Sequence, residues 1–112
     1  MAKVPLPGKP VRGSRTGKPV MALPDLLGRR WAMRVLWELR SGPLTSRALR
    51  AACGGVSPTV LHDRTQELRE AALVALEEPA GYSLTPAGQE LVTRFLPLVE
   101  WSERWAKALR RR

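Results

Sequence analysis

The stretch TSRALRAACGGVSPTVLHDRTQELREA, residues 45–71, decides the fold. Ser46 to about Ala52 reads as a short helix with Thr45 as its N-cap, because a threonine oxygen can accept an unpaired first-turn amide. Cys53, Gly54, Gly55 and Val56 then make a tight connection whose glycines permit positive φ. Ser57 followed by Pro58 is an N-cap with proline at the first helical position, where its missing N–H costs nothing. The helix opened there runs to about Ala71. Two helices joined by a short glycine-containing turn are a helix-turn-helix unit.

Working outward, the body begins near Ala22 with a short helical piece from Pro24 to Gly28. A stronger helix follows from about Arg29 to Ser41, ended by Gly42 and Pro43. At about 100° per residue, Trp31, Val35 and Leu39 share one face, and Met33, Leu36 and Trp37 spread over the rest. Arg30, Arg34 and Glu38 leave only a narrow polar strip, so protein should surround this helix on most sides. Beyond residue 71, residues 73–77 and 82–84 are short apolar runs separated by Glu78, Pro79, Ala80 and Gly81, which predicts a β-hairpin. Thr85 and Pro86 repeat the cap-and-proline signature and open a last helix to about Leu109.

That last helix carries too much apolar surface for one core. Phe95, Leu98, Trp105 and Leu109 lie within about 40° of Leu91, and Val92, Leu96, Val99 and Trp101 widen the arc to about 220°. Packing against a single core needs little more than about 100°. The excess predicts a second surface, and another copy of the chain is the simplest one. Pro97 should kink the helix near Thr93, whose carbonyl loses its donor.

The chain has 112 residues, enough for one domain, and is 44% hydrophobic. A single cysteine, Cys53, excludes an internal disulfide framework and any paired-cysteine metal knuckle. With one histidine, His62, no metal site or cofactor is expected. There is no nucleophile–base pair, phosphate-cradling glycine loop or carboxylate cluster, so the chain does not read as an enzyme. No apolar run approaches a membrane span and residues 1–21 lack a secretory apolar stretch, which predicts a soluble cytoplasmic protein without a membrane partner.

The net charge of +9 points toward a polyanion. Residues 1–21 hold Lys3, Lys9, Arg12, Arg15 and Lys18 and no acid, interleaved with prolines and glycines. This composition predicts a flexible basic arm over 1–21, with Met21 an alternative start of translation. The folded domain should span 22–109, with Arg110, Arg111 and Arg112 as a basic tail. Within 22–109 the balance is nearly neutral, at 11 basic against 10 acidic side chains.

Helix, short helix, longer helix, hairpin and long helix is the order of a winged helix-turn-helix domain, mainly α with a small β-hairpin. The segments LLGRRWA (26–32), LWEL (36–39) with Gly42 and Pro43, VSPTVL (56–61), LREAALV (68–74), YSLTPAG (82–88) and LPL (96–98) leading to Trp101 carry a resemblance to one family. The chain resembles the HxlR-type bacterial transcriptional regulators over about residues 22–105. The resemblance implies a homodimer that binds double-stranded DNA, with the first and last helices in the dimer contact. It also implies that the helix after Ser57 and Pro58 enters the major groove while the hairpin approaches the flanking backbone.

Four positions depart from the family pattern. Ala72 stands where the family has a glycine after the reading helix, Thr65 where it has a core leucine, and Ser46 and Ala48 where a Phe and a Glu are common. The wing is cut to Glu77–Gly81, with two acids and no Arg or Lys. Lys18, Pro19 and Val20 occupy the place of the redox-sensing cysteine of many relatives. Cys53 reads as a small apolar filler rather than a sensor.

Turning Leu61 and Leu68 toward the core leaves Thr59, His62, Asp63, Gln66, Glu67 and Glu70 on the opposite face. Thr59, His62 and Gln66 are the candidate base readers; Gln can pair bidentately with adenine. Ser57 at the helix start, and Arg47, Arg50, Arg64 and Arg69 around it, are candidate phosphate contacts, the alternative for each arginine being an ion pair with Glu67 or Glu70 or a solvated charge. Trp31, Trp37, Leu98, Trp101 and Trp105 are the candidate dimer residues. A small-molecule effector of unidentified chemistry could sit in a tryptophan-lined cleft between subunits. Two functions stay open: a homodimeric, sequence-specific regulator, read as a repressor on a roughly palindromic operator, and a winged-helix protein-interaction module whose basic tails bind DNA without specificity.

Overall fold

The computed structural model describes residues 4–8 and 18–112. In chain order the elements are α1 (Pro19–Leu27), α2 (Ala32–Glu38), α3 (Ser46–Cys53), α4 (Pro58–Glu70), β1 (Val74–Glu77), β2 (Gly81–Leu84), α5 (Pro86–Thr93) and α6 (Phe95–Arg110). The strands pair antiparallel with Val74 opposite Leu84 and Glu77 opposite Gly81. Leu44, in the extended connection before α3, exchanges both backbone hydrogen bonds with Tyr82 and lies against β2. This is a winged helix-turn-helix.

α2 is the hub. Val35 and Leu36 are fully buried and Leu39 nearly so, joined in the core by Leu49 of α3, Leu61 and Leu68 of α4, and Phe95 of α6. The three N-caps expected from sequence form: Thr45, Ser57 and Thr85 each accept the amide three residues on, at 3.1 Å. Thr65 replaces a leucine inside this core without leaving a polar atom unpaired, since its hydroxyl donates to the carbonyls of Leu61 and His62.

Three boundaries differ from the sequence reading. α1 starts at Pro19, not Pro24; both prolines carry the first-turn signature, and Pro24 sits inside the helix. α2 starts at Ala32, because Trp31 adopts φ +76°, outside the helical region. The last helix is broken at Arg94, between α5 and α6, beside the kink expected near Thr93. There the Glu90 carbonyl takes the Thr93 hydroxyl and the Arg94 guanidinium instead of a helical amide.

The expected arm also differs where it is described. Pro5 is buried and Val4 packs on the core, so the segment 4–8 lies along the body. Val4, Pro5 and Leu6 are locally apolar enough to dock, which the average over 21 residues concealed. Lys3, Lys9, Arg12 and Arg15 of the expected arm lie outside the described residues.

α4 ends in a Schellman motif: the Leu73 amide donates to the Leu68 carbonyl and the Ala72 amide to the Arg69 carbonyl, both at 2.9 Å. The motif forces Ala72 to φ +62°. A left-handed residue with a Cβ costs about 1–2 kcal/mol, and glycine's freer unfolded state returns about 0.4–1 kcal/mol of that. Ala72→Gly should therefore stabilise the protein by about 0.5–1 kcal/mol, by the same accounting. Urea unfolding of the two proteins checks this.

Candidate nucleic-acid interface

The interface is built from α3, the Gly54–Val56 turn and α4. Gly54 adopts φ +63° and closes α3, so the chain can reverse within four residues. Ser57 then caps α4 and points its first-turn amides outward. One open groove of about 900 Å³ brings Arg47, Arg50, Ser57 and Pro58 together. The groove couples two guanidinium groups to the positive end of a 13-residue helix, the combination that holds a phosphate. Arg47 extends into solvent, whereas the Arg50 Nε also donates to the Val56 carbonyl at 3.2 Å and so braces the turn.

Along α4, Thr59, His62, Asp63, Gln66, Arg69 and Glu70 are exposed, while Leu61, Thr65 and Leu68 are buried. The 3.6-residue period thus separates a core face from a polar face suited to groove edges. Gln66, Arg69 and Glu70 border a recess whose other wall is Val74, Ala75 and Leu76 of β1. The wing tip beyond it presents exposed Glu77 and Glu78.

Two residues do not stand where the helical wheel put them. Glu67 was expected on the outer face and Arg64 beside it as a phosphate contact or, alternatively, an ion pair with Glu67 or Glu70, and the ion pair with Glu67 forms. Arg64 donates to Glu67 and, through Nε, to the Arg30 carbonyl at 2.8 Å; Arg29 donates to the same Glu67 carboxylate at 2.5 Å. Their side chains are only 15–19% exposed. The long side chains reach round the helix to the α1–α2 turn, a partner 38 residues away that periodicity cannot reveal. Arg34, expected only as part of the polar strip of its helix, donates to the Ala52 carbonyl and pairs with Glu38, tying α2 to the end of α3.

The expected dimer residues divide into two groups. Trp31 and Trp37 are half-buried and pack on the core, with the Arg40 guanidinium 4.1 Å from the Trp37 ring centre. Leu98, Trp101 and Trp105 on α6 are each more than half exposed. The rings of Trp101 and Trp105 stack with centroids 5.4 Å apart. A groove of about 430 Å³ between α2 and α6 is lined by Met33, Trp37, Phe95, Leu98 and Val99 among others. Trp37 is the tryptophan in that lining; a second apolar recess, bordered by Pro5, Leu6, Leu23 and Leu73, contains none.

Cys53 is buried in the core, and burial pushes its thiol above the ordinary range, opposed in part by Arg34. A group with a raised folded pKa stabilises the fold below its unfolded pKa and loses that contribution as pH rises. The native thiol should therefore resist alkylation at neutral pH and react at the free-thiol rate only in denaturant, measurable with iodoacetamide. Among the described residues, no cluster of three or more His, Cys, Asp or Glu is placed to hold a metal ion. No helix among them is long and apolar enough to cross a membrane.

The profile of the HxlR-like helix-turn-helix family matches residues 26–110. The chain belongs to that family. Its match extends from the end of α1 to the end of α6 and so includes α3, the Gly54–Val56 turn and α4. Among solved structures, quinone-bound YodB from B. subtilis is similar at 25% identity and TM-score 0.71, covering 76% of this chain and 96% of its own. ytfH from Salmonella typhimurium is similar at 28% identity and TM-score 0.68, covering 84% and 92%. A possible HxlR family transcriptional factor from Thermoplasma volcanium shares the fold at 23% identity and TM-score 0.71, covering 80% and 86%. No curated protein matches the sequence.

Proposed function

We propose that this HxlR-like chain is a sequence-specific, double-stranded DNA-binding transcriptional regulator that works as a homodimer and represses by occupying its operator. Family membership supports the coarser part, a DNA-binding regulator rather than an enzyme, and YodB, similar over most of its length, is a transcriptional regulator. The observation that carries the finer reading is the polar face of α4, with Thr59, His62 and Gln66 exposed beside the groove of Arg47, Arg50 and Ser57. In this reading the first three meet base edges and the last three, with Arg69, meet phosphates. Two copies joined through α6 would set two α4 helices about 34–36 Å apart, or a multiple of that, along a palindromic site.

His62→Ala and Gln66→Ala test it. A good bidentate base contact discriminates by about 1–3 kcal/mol, so Gln66→Ala should reduce the operator-to-random affinity ratio about tenfold or more, with the dimer intact. Unchanged selectivity in both variants would mean that this face does not read bases.

A second reading rests on the acids. Asp63 and Glu70 lie on the exposed face of α4, and Glu77 and Glu78 at the wing tip, all near where phosphates would run. They favour a winged-helix interaction module with non-specific, salt-sensitive DNA binding through the basic termini. Weak preference for operator over random DNA would support that module.

A further inference from the structure

We propose that Glu67 is a positioning residue: by gripping Arg29 and Arg64 it sets the angle of α4 against the α1–α2 helix pair, and thereby sequence discrimination. This inference rests on the DNA-reading role given to α4.

The geometry is a closed loop of polar contacts between two distant parts of the chain. The two carboxylate oxygens of Glu67 take different guanidinium groups, Oε2 from Arg29 in the α1–α2 turn and Oε1 from Arg64 one turn earlier on α4. Arg64 closes the loop through its bond to the Arg30 carbonyl. That carbonyl belongs to the peptide entering Trp31, the residue held at φ +76°. A bulky side chain persists in that conformation only where its surroundings over-determine it. Here α4 supplies one such restraint, and Trp31 packs on the core.

Two further ion pairs among the described residues differ in kind. Arg34–Glu38 and Arg94–Glu90 join residues one turn apart on one helix surface, and their arginines are about half to two-thirds exposed. Such pairs are worth little, and what Arg34 adds between α2 and α3 comes from its bond to the Ala52 carbonyl rather than from the ion pair. The Glu67 cluster is sheltered, shares one carboxylate between two cations, and spans 38 residues. A carboxylate whose two oxygens accept from two different guanidinium groups fixes geometry as well as adding energy. Rotating α4 about its axis would break the Arg29–Glu67 contact and the Arg64 bond to the Arg30 carbonyl, so the cluster selects which side chains face outward.

Glu67→Gln keeps the shape but leaves one acceptor oxygen for two guanidinium groups. Operator-to-random affinity ratios would be measured with a duplex selected by the wild-type protein from a randomised pool. We expect Glu67→Gln to lower that ratio about tenfold with random-DNA affinity and its salt slope unchanged. Arg29→Lys, which keeps the charge and loses the planar guanidinium, should give a smaller loss in the same direction, and it serves as the readout if Glu67→Gln does not fold.

Combining each variant with Ala72→Gly separates positioning from stability. The double variants should recover melting temperature and not selectivity. Selectivity that returns with stability, or never falls, overturns the positioning role while the regulator reading stands. A wild-type protein that selects no duplex at all overturns both.

Discussion

Trp105→Glu should convert the protein to monomers and reduce operator affinity about a thousandfold, while the melting temperature of the subunit barely moves. The asymmetry follows from where α6 sits. Phe95 is the one α6 residue that is buried among those described, and Leu98, Trp101, Trp105 and Leu109 stand 46–55% exposed on the rest of the helix. An aromatic side chain buries about 150–250 Å² when fully covered. Covering the exposed half of each tryptophan gives about 2–3 kcal/mol at about 25 cal/mol per Å², and a two-fold interface counts each twice. Losing both copies of Trp105 and placing two carboxylates there removes more than the several kcal/mol that separate a stable dimer from monomers. Sedimentation equilibrium reads the assembly and circular dichroism the fold. A dimer unaffected by the substitution would place the interface on another surface.

Gly88→Ala should destabilise the subunit by more than about 3 kcal/mol, the upper range for overpacking. Propensity alone argues the other way. Gly88 lies in the first turn of α5, and alanine is favoured over glycine in helices by up to about 1 kcal/mol. The packing decides the sign. A Cβ on Gly88 would lie 2.1 Å from the Leu73 carbonyl oxygen and 3.1 Å from its carbon. Those atoms are backbone and cannot step aside, because the same carbonyl accepts the Thr85 amide at 3.1 Å and the Thr85 hydroxyl binds the Ala72 carbonyl. To admit one methyl group, α5 must separate from the end of α4, and the Schellman turn loses its cover. A urea midpoint at or above the wild-type value would show that this junction yields.

These two sites show what local sequence carries and what it omits. Thr45, Ser57–Pro58 and Thr85–Pro86 announced three helix starts because a cap and a first-turn proline act within four residues. The over-wide apolar arc of the last helix was equally legible, since a periodicity of 3.6 shows directly how much surface one core can cover. Pro24 misled because a proline in a short helix and a proline at a helix start look alike until the upstream residues are placed. Pro19 carried the true start. Gly88 gave no warning of its 2.1 Å approach to Leu73, as nothing in a linear sequence reports what lies across a junction.

For the candidate site, the exposed side chains on α4 matched a wheel anchored on Leu61 and Leu68. Arg64 and Glu67 did not, because an arginine side chain reaches far enough to leave the face its Cα defines. Besides each other, they meet partners in the turn before Trp31, whose positive φ no glycine or asparagine signalled. Val4 and Pro5 were hidden in the same way within a segment dominated by charge, proline and glycine.

The central claim is that the folded domain reads sequence while the basic termini add only attraction. Its most direct test is competition between a duplex from the protein's own upstream region and random DNA across a range of salt concentrations. The wild-type protein would be compared with a variant in which Lys3, Lys9, Arg12 and Arg15 are serine, a change that spares the docked Val4 and Pro5. An operator preference of about 10³ or more is expected in both proteins. The log–log salt slope should be shallower in the variant by about 0.9 for each phosphate that the removed charges had neutralised. A slight preference in the wild type, with binding abolished when the four charges are removed, would contradict it and leave the winged domain as an interaction module.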